Sequence, residues 1–301
     1  MTVVQLLLAS AAAAGVTAAA VPVIARWAAE RRIVAIPNQR SSHARATPVG
    51  GGLPIVACVV IGVAIVRNGA GPFGEVWSGY LAAGVFVAAI SWWDDMHGTP
   101  AGSRLAVQTV AALMVLLPLR EVIGPASPML FVAAGVIWAV GLSNAYNFMD
   151  GIDGLAAVQA IVAGAGWVWL GWRNDDAVVA IAGAIAAGGS LGFLFYNWHP
   201  ARIFMGDAGA AFLGFTFAVM TLVALARSWE HALAGALFVW PFLFDTAFTL
   251  ARRLVRGENV LRAHRSHLYQ RLVARGWSHR SVSALYGVLA LAGVGVAVAL
   301  L

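Results

Sequence analysis

The sequence predicts an all-α, polytopic integral membrane protein. About ten transmembrane helices form one domain over residues 1–301, with the chemistry on loops at one membrane face. Three observations carry that prediction. First, 61% of the 301 residues are hydrophobic and only 11% charged, with a mean hydropathy of +0.82; soluble domains are about a quarter charged and about half apolar. Second, apolar windows recur along the whole chain, several near the ~20 residues that cross a bilayer as a helix. Third, the basic residues, all 19 of them arginine, alternate in density from loop to loop.

The windows lie at roughly 3–24, 53–67, 77–93, 105–119, 129–146, 155–172, 177–196, 211–226, 232–251 and 282–301. The first is apolar like a signal peptide. It lacks a basic start and exceeds the usual apolar length, so it reads as a retained helix. Loops after the odd-numbered windows hold fifteen arginines, and the other four loops hold Arg67, Arg120, Arg173 and Arg227. Basic loops stay in the cytoplasm, so this bias puts the first set inside and both termini outside it. The net charge of +6 is then a matter of topology, not of nucleic-acid binding. Cys58, the one cysteine, excludes a disulfide or thiolate-metal framework.

Every motif with chemical content falls in the arginine-rich set of loops. The central one runs from Asn144 through Asn147, Phe148, Met149, Asp150, Gly151 and Asp153 to Gly154, between two apolar windows. Carboxylates and amides at a membrane edge are costly unless they face water or meet a cation. Asp94-Asp95 ends the third window; adjacent carboxylates raise each other's pKa or share a cation. Asn197 opens a loop that reaches Phe204-Met205-Gly206-Asp207, where glycine leaves room beside the acid. The turn around Gly50–Gly52, preceded by Arg40, His43 and Arg45, suits an anion. The last loop centres on His264-Arg265-Ser266-His267, whose arginine neighbours favour phosphate over a metal. Clustered acids call for a hard divalent cation, held as Mg²⁺ usually is by one or two protein oxygens and substrate phosphates. Acids, Mg²⁺ and a basic clamp at a membrane edge describe phosphoryl transfer between a phosphorylated lipid and a phosphorylated soluble substrate.

Taken in this order, the motifs Asp94-Asp95, Asn144-x-x-Asn147-x-x-Asp150-Gly151-x-Asp153-Gly154, Phe204-Met205-Gly206-Asp207-x-Gly209 and His264-Arg265-Ser266-His267 closely resemble a known family. They are similar to the bacterial polyprenyl-phosphate N-acetylhexosamine-1-phosphate transferases, which are glycosyltransferase family 4 relatives of phospho-N-acetylmuramoyl-pentapeptide transferase. The last motif, continuing Leu268-Tyr269-Gln270, looks like the O-antigen-initiating branch of lipopolysaccharide synthesis. The resemblance implies ten spans in the bacterial inner membrane. It implies transfer of a sugar-1-phosphate from a UDP-N-acetyl sugar to undecaprenyl phosphate, releasing UMP. Carried over by position, Asn147 and Asp207 would hold Mg²⁺, with Mn²⁺ as the alternative ion. Asp94 would be the base or orienter for the lipid phosphate, with Asp95 beside it as a further catalytic candidate. Asp150, His264 and His267 would polarise the phosphates and Arg265 would bind them. Asn144 and Asn197 would line the substrate site, Asp153 would reach the uracil, and Phe204 would stack on it. The partners are then the lipid, the nucleotide sugar and the bilayer, with no nucleic acid; a homodimer stays open.

Departures from the family pattern are Ala35, Ala46, Val49 and Ala210, where Asp, Pro, Arg and Ser are usual, and Tyr269-Gln270, where other branches have histidines. Two other readings compete. A nucleotide-alcohol transferase would carry further spaced acids after Asp150-Gly151. An ion-coupled transporter or flippase of lipid-linked sugars would place acids mid-span and repeat its halves; only Asp245 lies well inside a late apolar run.

Overall fold

A computed structural model describes residues 1–36, 46–124, 129–259 and 264–301. The chain is helical almost throughout: α1 Val3–Glu30, α2 Leu53–Val66, α3 Gly74–His97, α4 Ala101–Ile123, α5 Met129–Met149, α6 Leu155–Arg173, α7 Ala177–Asn197, α8 Asp207–Leu225, α9 Trp229–Phe238, α10 Trp240–Val255, α11 Leu268–Ala274 and α12 His279–Leu300. The all-α polytopic expectation holds. The number ten does not emerge from length and composition: among the described residues, eight helices are long and apolar enough to cross a membrane.

Two of the expected spans take other forms. The window at 53–67 is α2, whose 14 residues reach about 21 Å at 1.5 Å per residue, short of the ~30 Å hydrocarbon layer. The window at 232–251 breaks into α9 and α10, which meet at 80°. Pro241, in the first turn of α10, explains the break, since its ring collides with a continuing helix and it lacks the amide proton.

Helix α8 is the axis of the molecule. Nearly all its residues are buried, and α2, α3, α5 and α9 pack around it. An all-round apolar helix of this kind is a core helix. Where lipid tails are as apolar as the side chains, helices associate through small residues that let backbones approach. On α7, a Cβ at Gly188 would stand 2.0 Å from the Ser10 carbonyl oxygen of α1, and one at Gly192 would stand 2.3 Å from that of Ala14.

Two short strands, β1 (Val34–Ala35) and β2 (Thr47–Pro48), pair antiparallel. Beyond β2 the chain is stitched to the segment preceding α8: Phe204 N–H donates to Pro48 O (2.9 Å), Gly51 N–H to Phe204 O (2.9 Å) and Gly52 N–H to Met205 O (2.9 Å). This brings the Gly50–Gly52 turn against the start of α8. Arg40, His43 and Arg45 of the same loop lie outside the described residues.

The α1–α7 contact yields a stability prediction. Gly188→Val is expected to lower the unfolding free energy in detergent by about 1–3 kcal/mol, the usual cost of overpacking. Gly141→Val, at a position with open space around it, should leave the thermal midpoint nearly unchanged.

Candidate active site

At the end of the bundle where α8 begins lies a cavity of about 240 Å³. Its walls are Asp95 from α3, Asp150–Asp153 from the α5–α6 turn, Asn197 from α7, Phe204, Gly206 and Asp207 at the start of α8, Gln270 from α11 and His279 from α12. Ala35 and Val49, two of the departures from the family pattern, also line it. Acids distant in sequence therefore meet around one space.

Asp95 holds the start of α8. Its carboxylate oxygens accept from the backbone N–H groups of Asp207 (3.0 Å) and Ala208 (3.2 Å), satisfying donors that have no partner inside the helix. Gly206 permits this. Its φ is +81°, and a Cβ there would fall 2.7 Å from Val49 Cγ1 and 2.8 Å from Asp95 Oδ2. Asp94 accepts from Thr99 N–H and from Arg104 Nη1. The same Arg104 nitrogen lies 3.2 Å from Asp207 Oδ2, so one guanidinium joins two carboxylates. Asn147 hydrogen-bonds the Asp207 side chain.

Asp150 follows α5 directly. Burial, and then the charges of Asp207, Asp95 and Asp153, push its carboxyl well above the usual carboxylate range. Carboxylates so placed accept full ionisation when a cation joins them. Among the described residues no three of Asp94, Asp95, Asp150 and Asp207 converge on one point. The amide–carboxylate pair Asn147–Asp207 still fits Mg²⁺, which is commonly held by one or two protein oxygens with water and substrate phosphates completing the shell.

Asp153 is buried and occupied. Its Oδ2 lies 2.6 Å from His199 Nδ1 and accepts from Ala201 N–H at 3.1 Å, with His279 Nδ1 at 3.5 Å. Burial raises its pKa, but the hydrogen bonds from His279, Ala201 and His199 together hold it below the ordinary value. Asn197 ties two loops together: its Oδ1 accepts from Gly154 N–H (2.8 Å) and its Nδ2 donates to Ile203 O (3.0 Å). Asn144 lies apart from the cavity lining, where its Nδ2 donates to Gln108 Oε1 (2.6 Å) and Val140 O (2.8 Å).

The His264–His267 loop is anchored by Asp245, which the sequence marks only as an odd acid in an apolar run. Asp245 is fully buried. It accepts from Leu268 N–H (2.7 Å) and Tyr269 N–H (3.1 Å), capping α11, and from the hydroxyls of Thr249 (3.1 Å) and Tyr286 (2.7 Å). His267 Nδ1 lies 3.3 Å from it, and Arg252 Nη2 donates to Ser266 O (2.7 Å). His264 packs on His267 with ring centroids 4.9 Å apart. Burial, then the nearby His267 and Arg253, bring its pKa down to about 4, and its Nδ1 lies 3.0 Å from Ser266 Oγ. Arg265 is exposed at the loop's edge. The loop reaches the cavity through α11: Tyr269 Oη donates to Phe148 O (2.9 Å), and a Cβ on Gly151 would lie 2.0 Å from that hydroxyl.

The structure thus brings Asp94, Asp95, Asn147, Asp150, Asp153, Asn197, Phe204 and Asp207 to one end of the bundle, and sets His264 and His267 beside the turn that carries Asp150. Sequence reasoning missed Asp245, His199, His279 and the bridging role of Arg104. Each acts through tertiary partners 22 to 126 positions away in some bonds and close in others, and no local spacing signals it.

The Asp150 environment predicts a pH effect. Because its folded pKa is raised, the ligand-free protein binds more protons than the unfolded chain above the unfolded value, near pH 4. Stability is then lost as pH rises through the folded pKa. Thermal unfolding in EDTA from pH 5 to pH 9 should show Asp150→Asn gaining on the wild type as pH rises, with added Mg²⁺ narrowing the gap. Parallel profiles would contradict the crowding of charge at this position.

Residues 77–225, which include the acids from Asp94 to Asp207, match the family described as Glycosyl transferase family 4. The chain is 30% identical over 278 residues to a probable undecaprenyl-phosphate N-acetylglucosaminyl 1-phosphate transferase of Bacillus subtilis (strain 168), across 88% of this chain and 76% of the relative. It is 31% identical over 290 residues to a decaprenyl-phosphate N-acetylglucosaminephosphotransferase of Mycolicibacterium smegmatis, across 82% of this chain and 70% of that one. It is 28% identical over 281 residues to a phospho-N-acetylmuramoyl-pentapeptide-transferase of Lacticaseibacillus paracasei, across 83% of each. Likeness that runs through the acid-lined cavity and over most of both chains makes this protein a member of glycosyl transferase family 4.

Proposed function

We propose that this protein transfers an N-acetylhexosamine-1-phosphate from a UDP-N-acetyl sugar to undecaprenyl phosphate, releasing UMP and forming undecaprenyl-diphospho-sugar. The observation that carries the reading is the meeting of Asp95, Asp150 and Asp207 around one cavity at the end of a buried apolar helix. Two of the relatives above, whose names pair a polyprenyl phosphate with N-acetylglucosaminyl phosphate transfer, supply the substrate class. An oxygen of the lipid phosphate forms a bond to the phosphorus that bears the sugar, and the bond from that phosphorus to the bridging oxygen breaks, its electron pair leaving with UMP.

Asn147 and Asp207 would hold the divalent cation, Mg²⁺ or Mn²⁺, with Asp150 nearby. When bound, such an ion draws negative charge from the diphosphate and the departing UMP. The remaining work falls to side chains of this protein. Asp94 orients the lipid phosphate through Arg104, and Asp95 keeps the start of α8 in place. Arg104, paired with both Asp94 and Asp207, sets a guanidinium beside the acids where the phosphates would bind. His264, Arg265 and His267 supply donors from the opposite side. Phe204 offers a face to the uracil, and Asp153 stands within the same wall. The arginine bias puts this end in the cytoplasm of a bacterium, where nucleotide sugars are made, and both termini outside it. The His264–Gln270 sequence form favours O-antigen initiation as the pathway served.

The test is UMP release from a panel of UDP-N-acetyl sugars by the purified protein in detergent, with and without undecaprenyl phosphate. At least one sugar should give lipid-dependent release, and Arg104→Gln should lose about 1.5–3 kcal/mol of transition-state stabilisation, the worth of a hydrogen bond to a charged group. Absence of lipid-dependent release with every sugar would refute the proposal.

A further inference from the structure

Asp153, His199 and His279 come from three different parts of the chain: the α5–α6 turn, the loop after α7, and the first turn of α12. Asp153 Oδ2 and one nitrogen of each imidazole lie within 4.8 Å of one another, and among the described residues this is the one group of three metal-ligating side chains that converges so. The pairwise separations are 2.6 Å from Asp153 Oδ2 to His199 Nδ1 and 3.5 Å to His279 Nδ1. Donors around a four-coordinate ion stand about 3.3–3.5 Å apart when each is ~2.0–2.2 Å from the metal, so small side-chain shifts would seat one.

The backbone behind each ligand is already fixed. Ser283 Oγ donates to Asp153 O (2.9 Å), Arg280 donates from Nε (3.0 Å) and Nη2 (2.6 Å) to His199 O, and Ser278 caps the helix that begins with His279. Asp153 and His279 also line the cavity, so a remaining coordination position would face it.

We infer that Asp153, His199 and His279 form a binding site for one late first-row transition-metal ion of the Zn²⁺ class, separate from the place where Asn147 and Asp207 meet. Two imidazoles and one carboxylate are a donor set that selects Zn²⁺, Co²⁺ or Ni²⁺ over Mg²⁺, which prefers oxygen alone. It is also the set found in zinc sites that keep a fourth position open. An ion here adds positive charge to a wall otherwise dominated by Asp95, Asp150 and Asp207. The inference goes beyond the proposed reaction and stands independently of it.

The experiment is a Co²⁺ titration of the purified, tag-free protein with Mg²⁺ in large excess and no nucleotide, followed by the visible absorption of low-coordinate Co²⁺. The expected result is a band that saturates at one equivalent and is abolished by one equivalent of Zn²⁺. It should be lost in His199→Ala and retained in Asp207→Asn and in His231→Ala, a histidine that bonds Asn174 at a distant site. The His199 side chain is 40% exposed, so its removal should spare the fold; a single symmetric gel-filtration peak checks that, and His199→Gln provides a second variant. No band in the wild type, or a band unchanged in both His199 variants, would overturn the inference. So would a band lost in Asp207→Asn but kept in His199→Ala.

Discussion

The arrangement depends on one interaction: the Asp95 carboxylate bound to the N–H groups of Asp207 and Ala208 at the start of α8. Helix α8 is buried on all sides, so its first amides have little water to bond and need a protein acceptor. A carboxylate answers that need and also favours the positive end of the helix. The solution has a consequence. Fixing the end of α3 to the beginning of α8 carries Asp94 and Asp95 up to Asp207, while the α5–α6 turn adds Asp150. Arg104 joins Asp94 and Asp207, and the charge that remains suits a cation and a phosphorylated ligand.

The opposite wall is built on similar terms. Asp245 is the acid an ion-coupled transporter would use mid-span, yet here backbone amides and hydroxyls from α10, α11 and α12 engage it. A carboxylate so occupied fixes geometry. It sets α11 against the Asp150–Gly151 turn, which is where the histidine loop meets the acids. The break between α9 and α10 serves the same end, because a straight helix would carry Asp245 and Arg253 along a different line.

Much of this was legible in the sequence, for reasons that differ by feature. The all-α membrane fold followed from composition and windowed apolarity, because the bilayer imposes a length and a polarity on every crossing segment. The acids were legible because charge at a membrane edge is expensive enough to be informative. Features that rest on tertiary partners were hidden. Asn144 bonds Gln108, and Asn197, in the cavity wall, ties Gly154 to Ile203, partners that no local spacing reveals. His199 and His279 were isolated histidines until folding set both against Asp153. The bend at Val239 was within reach, since Pro241 was in view, but apolarity alone joined 232–251 into one span.

The account turns on whether the carboxylate end of α8 holds a divalent cation. The direct measurement is Mn²⁺ binding to the purified, tag-free protein by electron paramagnetic resonance, counting the Mn²⁺ that Mg²⁺ displaces, in the wild type, Asp207→Asn and Asn147→Ala. The account predicts one Mg²⁺-displaceable Mn²⁺ per chain in the wild type, with affinity lowered at least tenfold by Asp207→Asn, about 1.4 kcal/mol, and to a smaller degree by Asn147→Ala. Equal Mn²⁺ binding in all three proteins would contradict it.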